Sequence, residues 1–283
     1  RLQRLPAPLP MWRAQVDREQ WLAAAQAVAA VGGRLVSMWG VDRGAAGQGM
    51  LACAALATAE GLSWLELPLG EAKLFPDLSS TFACAGRMQR AMADLSGLRA
   101  EGATDARPWL SHGLWAGTAP LQQSGTGPAG APDALLPADY PFVRVQGDGV
   151  HEIAVGPVHA GIIEPGHFRF SVVGEKVLRL EQHLGYKHKG IERRFTELAP
   201  LDAHRLAGRV SGDCTVAFAW AYCMALGSAW GCEVPLRAQW LRALMLERER
   251  VANHLGDLGA LGNDAALAFG LAQFSRLRED WQR

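Results

Sequence analysis

The chain has 283 residues, of which 49% are hydrophobic, and it carries 28 acidic and 28 basic side chains. This length exceeds one average domain, and the apolar content is sufficient for a hydrophobic core. The zero net charge excludes a strong electrostatic surface for nucleic acid or for an anionic membrane. Five cysteines without a CxxC pair favour a reducing compartment over a disulfide framework.

Helices and strands are mixed in the first hundred residues. The predicted elements are a helix over 17–31, strands over 34–41 and 61–67, a proline-containing loop over 74–80 and a helix over 81–95. Asp17 is the expected N-cap of the first helix, and Gly97 is expected to end the second. The pattern predicts an N-terminal α/β docking domain over residues 1–115.

The rest of the chain predicts a linker, a small sheet and a helical bundle. Residues 116–141 are rich in glycine and proline, so we expect an interdomain linker over 116–149. Predicted strands cover 151–156, 167–173 and 176–182, with a hairpin turn at Gly174-Glu175. Predicted helical segments cover 201–208, 213–231 and 236–261. Residues 150–283 would then form the second domain of an α+β protein.

Two helical segments carry further expectations. Residues 214–232 have no formal charge and could cross a bilayer by length, but their alanine-rich composition favours a helix buried in protein. In the last segment an apolar stripe is predicted to face the core, and the charge run 247–250 is predicted to be solvated. The members of the stripe are Leu241, Leu244, Met245, Val251, Leu255 and Leu258.

The stretch 155–192 holds the residues that hydrophobic packing does not explain, and we interpret it as half of a buried redox or proton-coupling site. It contains His159, His167, His183 and His188, which could bind a metal, relay protons or bond backbone groups. Glu164 follows two isoleucines, where burial is costly without a partner. A proton-handling role and a structural pair with Arg209 are both open for Glu164.

Cysteine positions favour one candidate. Cys214 follows Gly212-Asp213 at the start of a predicted helix, where the positive end of the helix favours thiolate chemistry. Cys223 and Cys232 are nine and eighteen residues further on, so the three thiols cannot converge on one metal from a single helix. We expect Cys223 and Cys232 to be small core residues.

Four motifs then indicate a family. The segments GPVHAGIIEPGHFRF, GEKVLRLEQHLGYKHKGIE, GRVSGDC and ERERVANHLGDLGALGNDA closely resemble the large subunit of membrane-bound, group 4 nickel-iron hydrogenases. They resemble the quinone-site core subunit of respiratory complex I more distantly. The front segment FPDLSSTFACAGRMQRAMADLSGL resembles the small core subunit that neighbours it in complex I. Arg90, Asp94 and Gly97 match that pattern, whereas Gln89 and Ala91 replace its acidic residues.

The sequence also departs from the family patterns. Relative to active nickel-iron hydrogenases, Ser211 stands in the place of a cysteine ligand and Phe218 in that of a histidine, which leaves Cys214 as a remnant metal ligand. Relative to complex I, Ile163 and Leu206 stand in the places of the quinone histidine and tyrosine. The resemblance therefore implies an incomplete catalytic centre, with no cofactor firmly predicted here and a nickel-iron centre not expected.

The resemblance implies two roles, and a free-standing soluble protein without a partner is a third alternative that the sequence leaves open. The chain is expected to be the large subunit of a hydrogenase-like or NADH-quinone oxidoreductase-like complex, or a metal-free coupling subunit of such a complex. Expected partners are a small iron-sulfur subunit and membrane ion-translocating subunits, with no nucleic acid and no transmembrane segment of its own. This implies a cytoplasmic, peripheral location. Glu164 and Arg209 would transfer protons, and cofactor contacts are assigned to His159, Ser211 and Asp213.

Overall fold

A computed structural model of the chain describes residues 2–113, 119–122, 140–158 and 164–283. Two compact units are present. The first comprises Arg1–Leu5 and Leu9–Gly190, and the second comprises Pro6–Pro8 and Ile191–Arg283. Helices and sheets are both present, as expected for an α+β protein. The predicted boundaries at 115 and 149 stay a prediction, and residues 116–118 and 123–139 of the predicted linker lie outside the described residues.

The first unit contains a five-stranded mixed sheet in the order β1-β2-β5-β4-β3. Its strands are β1 (Leu2–Arg4), β2 (Met11–Gln15), β3 (Arg34–Asp42), β4 (Met50–Thr58) and β5 (Gly61–Leu69). Helices α1 (Arg18–Ala30) and α2 (Ala85–Ser96) pack against this sheet. Short strands β6 (Leu74–Pro76) and β7 (Arg99–Glu101) pair in parallel. Trp21, Phe75 and Leu56 are fully buried in the core.

Local sequence signals explain the ends of both helices. The Asp17 carboxylate accepts a hydrogen bond from the Gln20 amide (2.8 Å), and the Gln20 side chain accepts one from the Asp17 amide (3.1 Å), which forms a capping box. The predicted N-cap is therefore confirmed. Gly97 ends α2 with φ +68°, as expected for a left-handed cap. Two predictions were wrong here: β6 occupies part of the predicted loop, and α2 begins four residues late.

Strand β4 was not predicted. Its sequence, MLACAALAT, is rich in alanine, which favours helices over strands. The strand lies between β3 and β5, with Met50–Ala54 buried. Small side chains fit this central position because helices cover the sheet, so tertiary packing overrides the local preference.

A second sheet, also in the first unit, has the antiparallel order β10-β9-β8. Its strands are β8 (His151–Val158), β9 (Gly166–Val173) and β10 (Lys176–His183), within two residues of the predicted bounds. Val173 pairs with Lys176 across the predicted turn, where Gly174 has φ +56°. This hairpin prediction is confirmed.

The second unit is helical. It contains α3 (Ile191–Phe195), α4 (His204–Ala207), α5 (Thr215–Trp230), α6 (Leu236–Asp264) and α7 (Ala268–Gln282). Helix α7 was not predicted. Helices α6 and α7 approach closely at glycines, because a Cβ on Gly262 would lie 3.0 Å from the Leu271 amide nitrogen. No helix in the described ranges is both long and apolar enough to span a bilayer.

Three burial predictions for this unit were wrong, and one of them is the core position of Cys232, which is exposed. Helix α5 has no charged residue, yet none of its side chains is buried, and Phe218 is 41% exposed. On α6 the predicted apolar stripe is largely exposed, whereas the buried residues are Ala252, Gly259 and Gly262. Small residues allow α7 to approach α6 on that face. The face of α6 that packs most closely is therefore the one with small residues, and not the most apolar one.

Candidate functional site

The sequence-predicted site centres on the turn that leads into α5. Gly212–Cys214 forms a single 3-10 turn, and Cys214 is the N-cap residue of α5. This confirms the predicted position of the thiol at a helix start. Neither Cys214 nor Ser211 caps the helix with its side chain. Cys214 is partly buried, whereas Asp213 is exposed.

Helix α6 supplies the missing cap. The Val216 and Ala217 amides donate to the two carboxylate oxygens of Glu249, over 2.5 and 3.0 Å. One helical turn later, the Asn253 side-chain amide donates to the Asp213 carbonyl over 2.7 Å. An anion at a helix N-terminus satisfies free amides and complements the helix dipole. Two side chains of α6 therefore hold both sides of the turn.

A cavity of about 320 Å³ adjoins this turn. Asp213, Glu249 and Asn253 contribute to its wall, together with Arg278 and Trp281 from α7. The Nε of Arg278 is buried and lacks a hydrogen-bond partner within the described structure. Polar side chains from the turn, α6 and α7 therefore line part of this cavity.

The other predicted site residues are not gathered around this turn. Glu164 is exposed, whereas its sequence context predicts burial, and it belongs to the first unit. Arg209 is also exposed and belongs to the second unit. Their pairing stays a prediction, as do their proton-transfer roles. His159 and Ile163 lie outside the described residues.

A second polar cluster lies in the first unit and is built on a stack of three rings. His183 is only 1% exposed and lies between His112 and Tyr140, at ring-centroid distances of 4.3 and 4.0 Å. Neither ring nitrogen of His183 has a hydrogen-bond partner in the described structure. Burial, together with nearby histidines and arginines, lowers the pKa of His183 to about 4. His183 is therefore neutral at pH 7.

Charged groups surround this stack. Arg107 donates to both Asp105 (2.7 Å) and Glu181 (3.3 Å), and Arg179 also pairs with Glu181 (2.8 Å). The hydrogen bond from Arg107 is the main cause of the lowered pKa of Asp105. For Glu181, burial opposes ionisation, but bonds from Arg179, the Val143 amide and Arg107 outweigh it and lower the pKa. Both carboxyl groups are therefore ionised at pH 7.

Helix α2 binds the segment that carries this network. Arg90 donates to the carbonyls of Arg107 (2.7 Å) and Pro108 (2.9 Å) and to the Tyr140 hydroxyl. The Asp94 carboxylate accepts the backbone amides of residues 109, 110 and 111, at 2.6–3.0 Å. Two of the motif residues singled out in the sequence thus hold an irregular segment against α2.

Comparison with known proteins finds two family regions in the chain, as the sequence motifs predict. Residues 14–128 match the family of the respiratory-chain NADH dehydrogenase 30 kDa subunit, and residues 189–258 match the nickel-dependent hydrogenase family. The predicted resemblance is confirmed. Hydrogenase-4 component G of Escherichia coli (strain K12) is 32% identical over 212 residues, which cover 74% of this chain and 38% of that protein.

Two further relatives support the pattern. Formate hydrogenlyase subunit 5 of Escherichia coli (strain K12) is 32% identical over 209 residues, which cover 72% of this chain and 37% of that protein. A subunit of the NADH-quinone oxidoreductase of Sinorhizobium medicae (strain WSM419) is 30% identical over 142 residues, covering 49% of this chain and 35% of that protein. The chain spans less than two fifths of the length of these relatives.

The donors present at the hydrogenase-like turn do not fit a nickel-iron centre. A soft, thiolate-rich ligand set favours such metals, and the turn offers one thiol, Cys214, with the hydroxyl of Ser211. In the described ranges no group of three or more histidine, cysteine, aspartate or glutamate side chains could hold a metal ion. Within those ranges, Cys214 therefore belongs to no such group of three.

Sequence reasoning missed Glu249, which it assigned to a solvated face. Arg250 does pair with Glu247 on the surface, but Glu249 is partly buried and caps α5. A signal was present in the sequence. Glu249 shares a helical face with Ala252, Asn253 and Gly256, and a stripe of small residues marks a close approach by another segment. His112, Tyr140 and Glu181 were also missed, because ring stacks and ion pairs between distant segments leave no local pattern.

Proposed function

We propose that the chain is a large subunit of a membrane-associated hydrogenase-like or NADH-quinone oxidoreductase-like complex. It would couple electron transfer through a partner iron-sulfur subunit to proton or ion movement. The observation that carries this proposal is the order of two family regions in one chain, residues 14–128 and 189–258. A continuous match to Hydrogenase-4 component G over 212 residues supports the same arrangement.

The surface of the second unit supports a role as a subunit. A helix that is apolar all round is normally buried, and large exposed apolar patches mark interaction surfaces. Helix α5 has no charged residue and no buried side chain, and Trp230 and Trp240 are 52% and 69% exposed. These exposed apolar residues are expected to be covered by another surface.

Co-purification tests the proposal. The tagged full chain, produced in its source cells, is recovered from detergent-solubilised membranes, and its companions are identified by mass spectrometry. We expect a small iron-sulfur subunit and integral membrane subunits in constant ratio, absent from a preparation of an unrelated soluble protein with the same tag. Recovery of the chain alone, from the soluble fraction only, would contradict the proposal.

A metal-free coupling subunit is the second candidate, and the replacements at the turn favour it. Ser211 and Phe218 stand where the resembling family has metal ligands, and the donor set at Cys214 does not fit nickel-iron. Nickel analysis of the purified complex separates the two candidates. Stoichiometric nickel that is lost in Cys214→Ser but kept in Cys223→Ser would support a hydrogenase. Absence of nickel in an intact complex would support the metal-free role.

Within either candidate, Glu164 and Arg209 are proposed to take part in proton transfer. Their exposure in this chain is compatible with a water-filled path or a partner surface. Glu164→Gln and Arg209→Gln would be compared with the control Glu175→Gln, a variant of an exposed hairpin residue in the first unit. Proton uptake by the complex should fall in the first two variants alone. Equal uptake in all three would remove these residues from the path.

A further inference from the structure

We propose that Glu249 is a positioning residue, which fixes the Gly212–Cys214 turn against helix α6. This role depends on the proposed function in one respect: the turn lies in the region that matches the hydrogenase family. Helix α5 begins without a side-chain cap of its own, since Cys214 at the N-cap makes no such bond. A helix start leaves several backbone amides unsatisfied, and a carboxylate is their best acceptor.

Glu249 supplies that acceptor from 33 residues away. Its two oxygens receive the amides of Val216 at 2.5 Å and Ala217 at 3.0 Å. Because each oxygen takes one amide, the carboxylate sets both the distance of α5 from α6 and its rotation at this end. A single-point contact would leave the rotation free.

Asn253 completes the contact on the other side of the turn. It lies four residues after Glu249 on the same face of α6 and donates to the Asp213 carbonyl at 2.7 Å. The backbone of the turn is therefore held before and after Cys214. The Cys214 side chain does not cap the helix, and the Cys214 amide donates to the Ser211 carbonyl at 3.3 Å.

The neighbouring charges leave Glu249 available for this role. Arg250 pairs with Glu247 on the outer side of α6. Arg248 donates to the Trp281 carbonyl at 3.1 Å, and its guanidinium lies over the Trp281 ring. The run Glu247–Arg250 thus divides into a surface ion pair, a contact with α7 and one carboxylate directed to the turn.

The consequence is a mechanical link. Helix α6 has 29 residues and packs on α7 along its small-residue face. A shift of α6 would move Asp213 and the start of α5 with it. In the proposed complex, this link joins the position of the hydrogenase-like turn to the position of α6.

The test compares Glu249→Ala, Glu249→Gln and the control Glu247→Ala in the full chain. Amide hydrogen exchange is measured at residues 213–217, together with the rate of Cys214 alkylation by a neutral maleimide relative to Cys232. In Glu249→Ala we expect exchange of the Cys214, Val216 and Ala217 amides, and alkylation of Cys214, to rise roughly two- to thirtyfold, the range for loss of a helix cap. Glu249→Gln, which keeps an acceptor oxygen, should restore part of the protection, and Glu247→Ala should match the unmodified chain.

One result would show that Glu249 is a helix cap and nothing more: faster exchange at Val216 and Ala217, with the Cys214 amide and thiol unchanged. A uniform rise across α5, α6 and α7 would show general destabilisation, and it too would overturn the proposal. The outcome is independent of the proposed function. A local release of Cys214 in a chain that recruits no partner would contradict the function and leave the positioning role standing.

Discussion

The imidazole of His183 stacks on the ring of Tyr140, with centroids 4.0 Å apart and planes inclined by 18°. His183 ends strand β10, whereas Tyr140 is held by a hydrogen bond from Arg90 of α2. The stack thus connects the small antiparallel sheet to the helix that covers the five-stranded sheet, inside the first unit.

Acid should weaken this junction through His183. Its pKa is about 4 in the folded chain and near 6.5 when unfolded, so the unfolded chain binds the extra proton between these values. The free energy of unfolding of the first unit should therefore fall by about 2 kcal/mol between pH 7 and pH 5. Denaturant titrations at the two pH values measure it. His183→Phe keeps a stacked ring without a titrating group and should remove this loss, whereas His151→Phe, an exposed control on the same sheet, should keep it. An unchanged pH dependence in His183→Phe would contradict the assignment.

Removing Arg107 should expose the cost of burying Glu181. Glu181 is 7% exposed and depends on Arg107, Arg179 and the Val143 amide. Arg107→Ala is expected to lower the free energy of unfolding by about 2–3 kcal/mol, because it leaves buried negative charge with fewer partners. Adding Glu181→Gln should recover part of that loss in a double-mutant cycle, measured by denaturation at pH 7. A purely additive cycle would show that the two residues do not interact.

Asp94 should control the segment 109–111. Its carboxylate receives three backbone amides, and Asp94→Ala leaves them without that acceptor. We expect a loss of about 2 kcal/mol and faster hydrogen exchange confined to these amides, with a smaller effect in Asp94→Asn. Asp148→Ala, in an exposed turn, is the control. Equal exchange rates in the Asp94 and Asp148 variants would show that the amides have other acceptors.

The start of α1 offers a simpler test of local structure. Asp17→Ala removes the carboxylate that accepts the Gln20 amide but keeps the residue 17 amide that donates to the Gln20 side chain, and the expected loss is about 1 kcal/mol. Asp17→Asn, which retains an acceptor, should lose less. Thermal unfolding measures both variants. An alanine variant as stable as the original chain would mean that packing of Trp21, and not the cap, fixes this helix.

Local signals in the sequence predicted the features that depend on neighbouring residues. The Asp17 cap, the Gly97 stop and the Gly174-Glu175 hairpin all follow from chemistry within four residues. Strand β4 could not be predicted this way, because its alanines are accepted only between two neighbouring strands. The ring stack of His112, His183 and Tyr140 depends on contacts across as many as 71 residues of sequence, which no period reveals.

Burial in the helical unit was predicted least well. The apolar residues of α5 and α6 were assigned to a core, yet the described structure leaves Phe218 and Leu244 exposed. An apolar periodicity predicts that a helix face will be covered, but a core of the same chain and a partner protein give the same pattern. The pattern therefore cannot distinguish a core face from an interaction surface. Glu249 was missed for a related reason. Its charge favours a solvent-exposed position, whereas its face of α6 lies against the start of α5.

Iron content per chain, measured by elemental analysis on the protein purified from its source membranes, shows whether the chain works beside an iron-sulfur subunit. We expect several iron atoms for each copy of the chain, carried by a co-purifying iron-sulfur subunit and visible in low-temperature electron paramagnetic resonance after reduction. A homogeneous preparation of the chain with no iron and no companion subunit would contradict it.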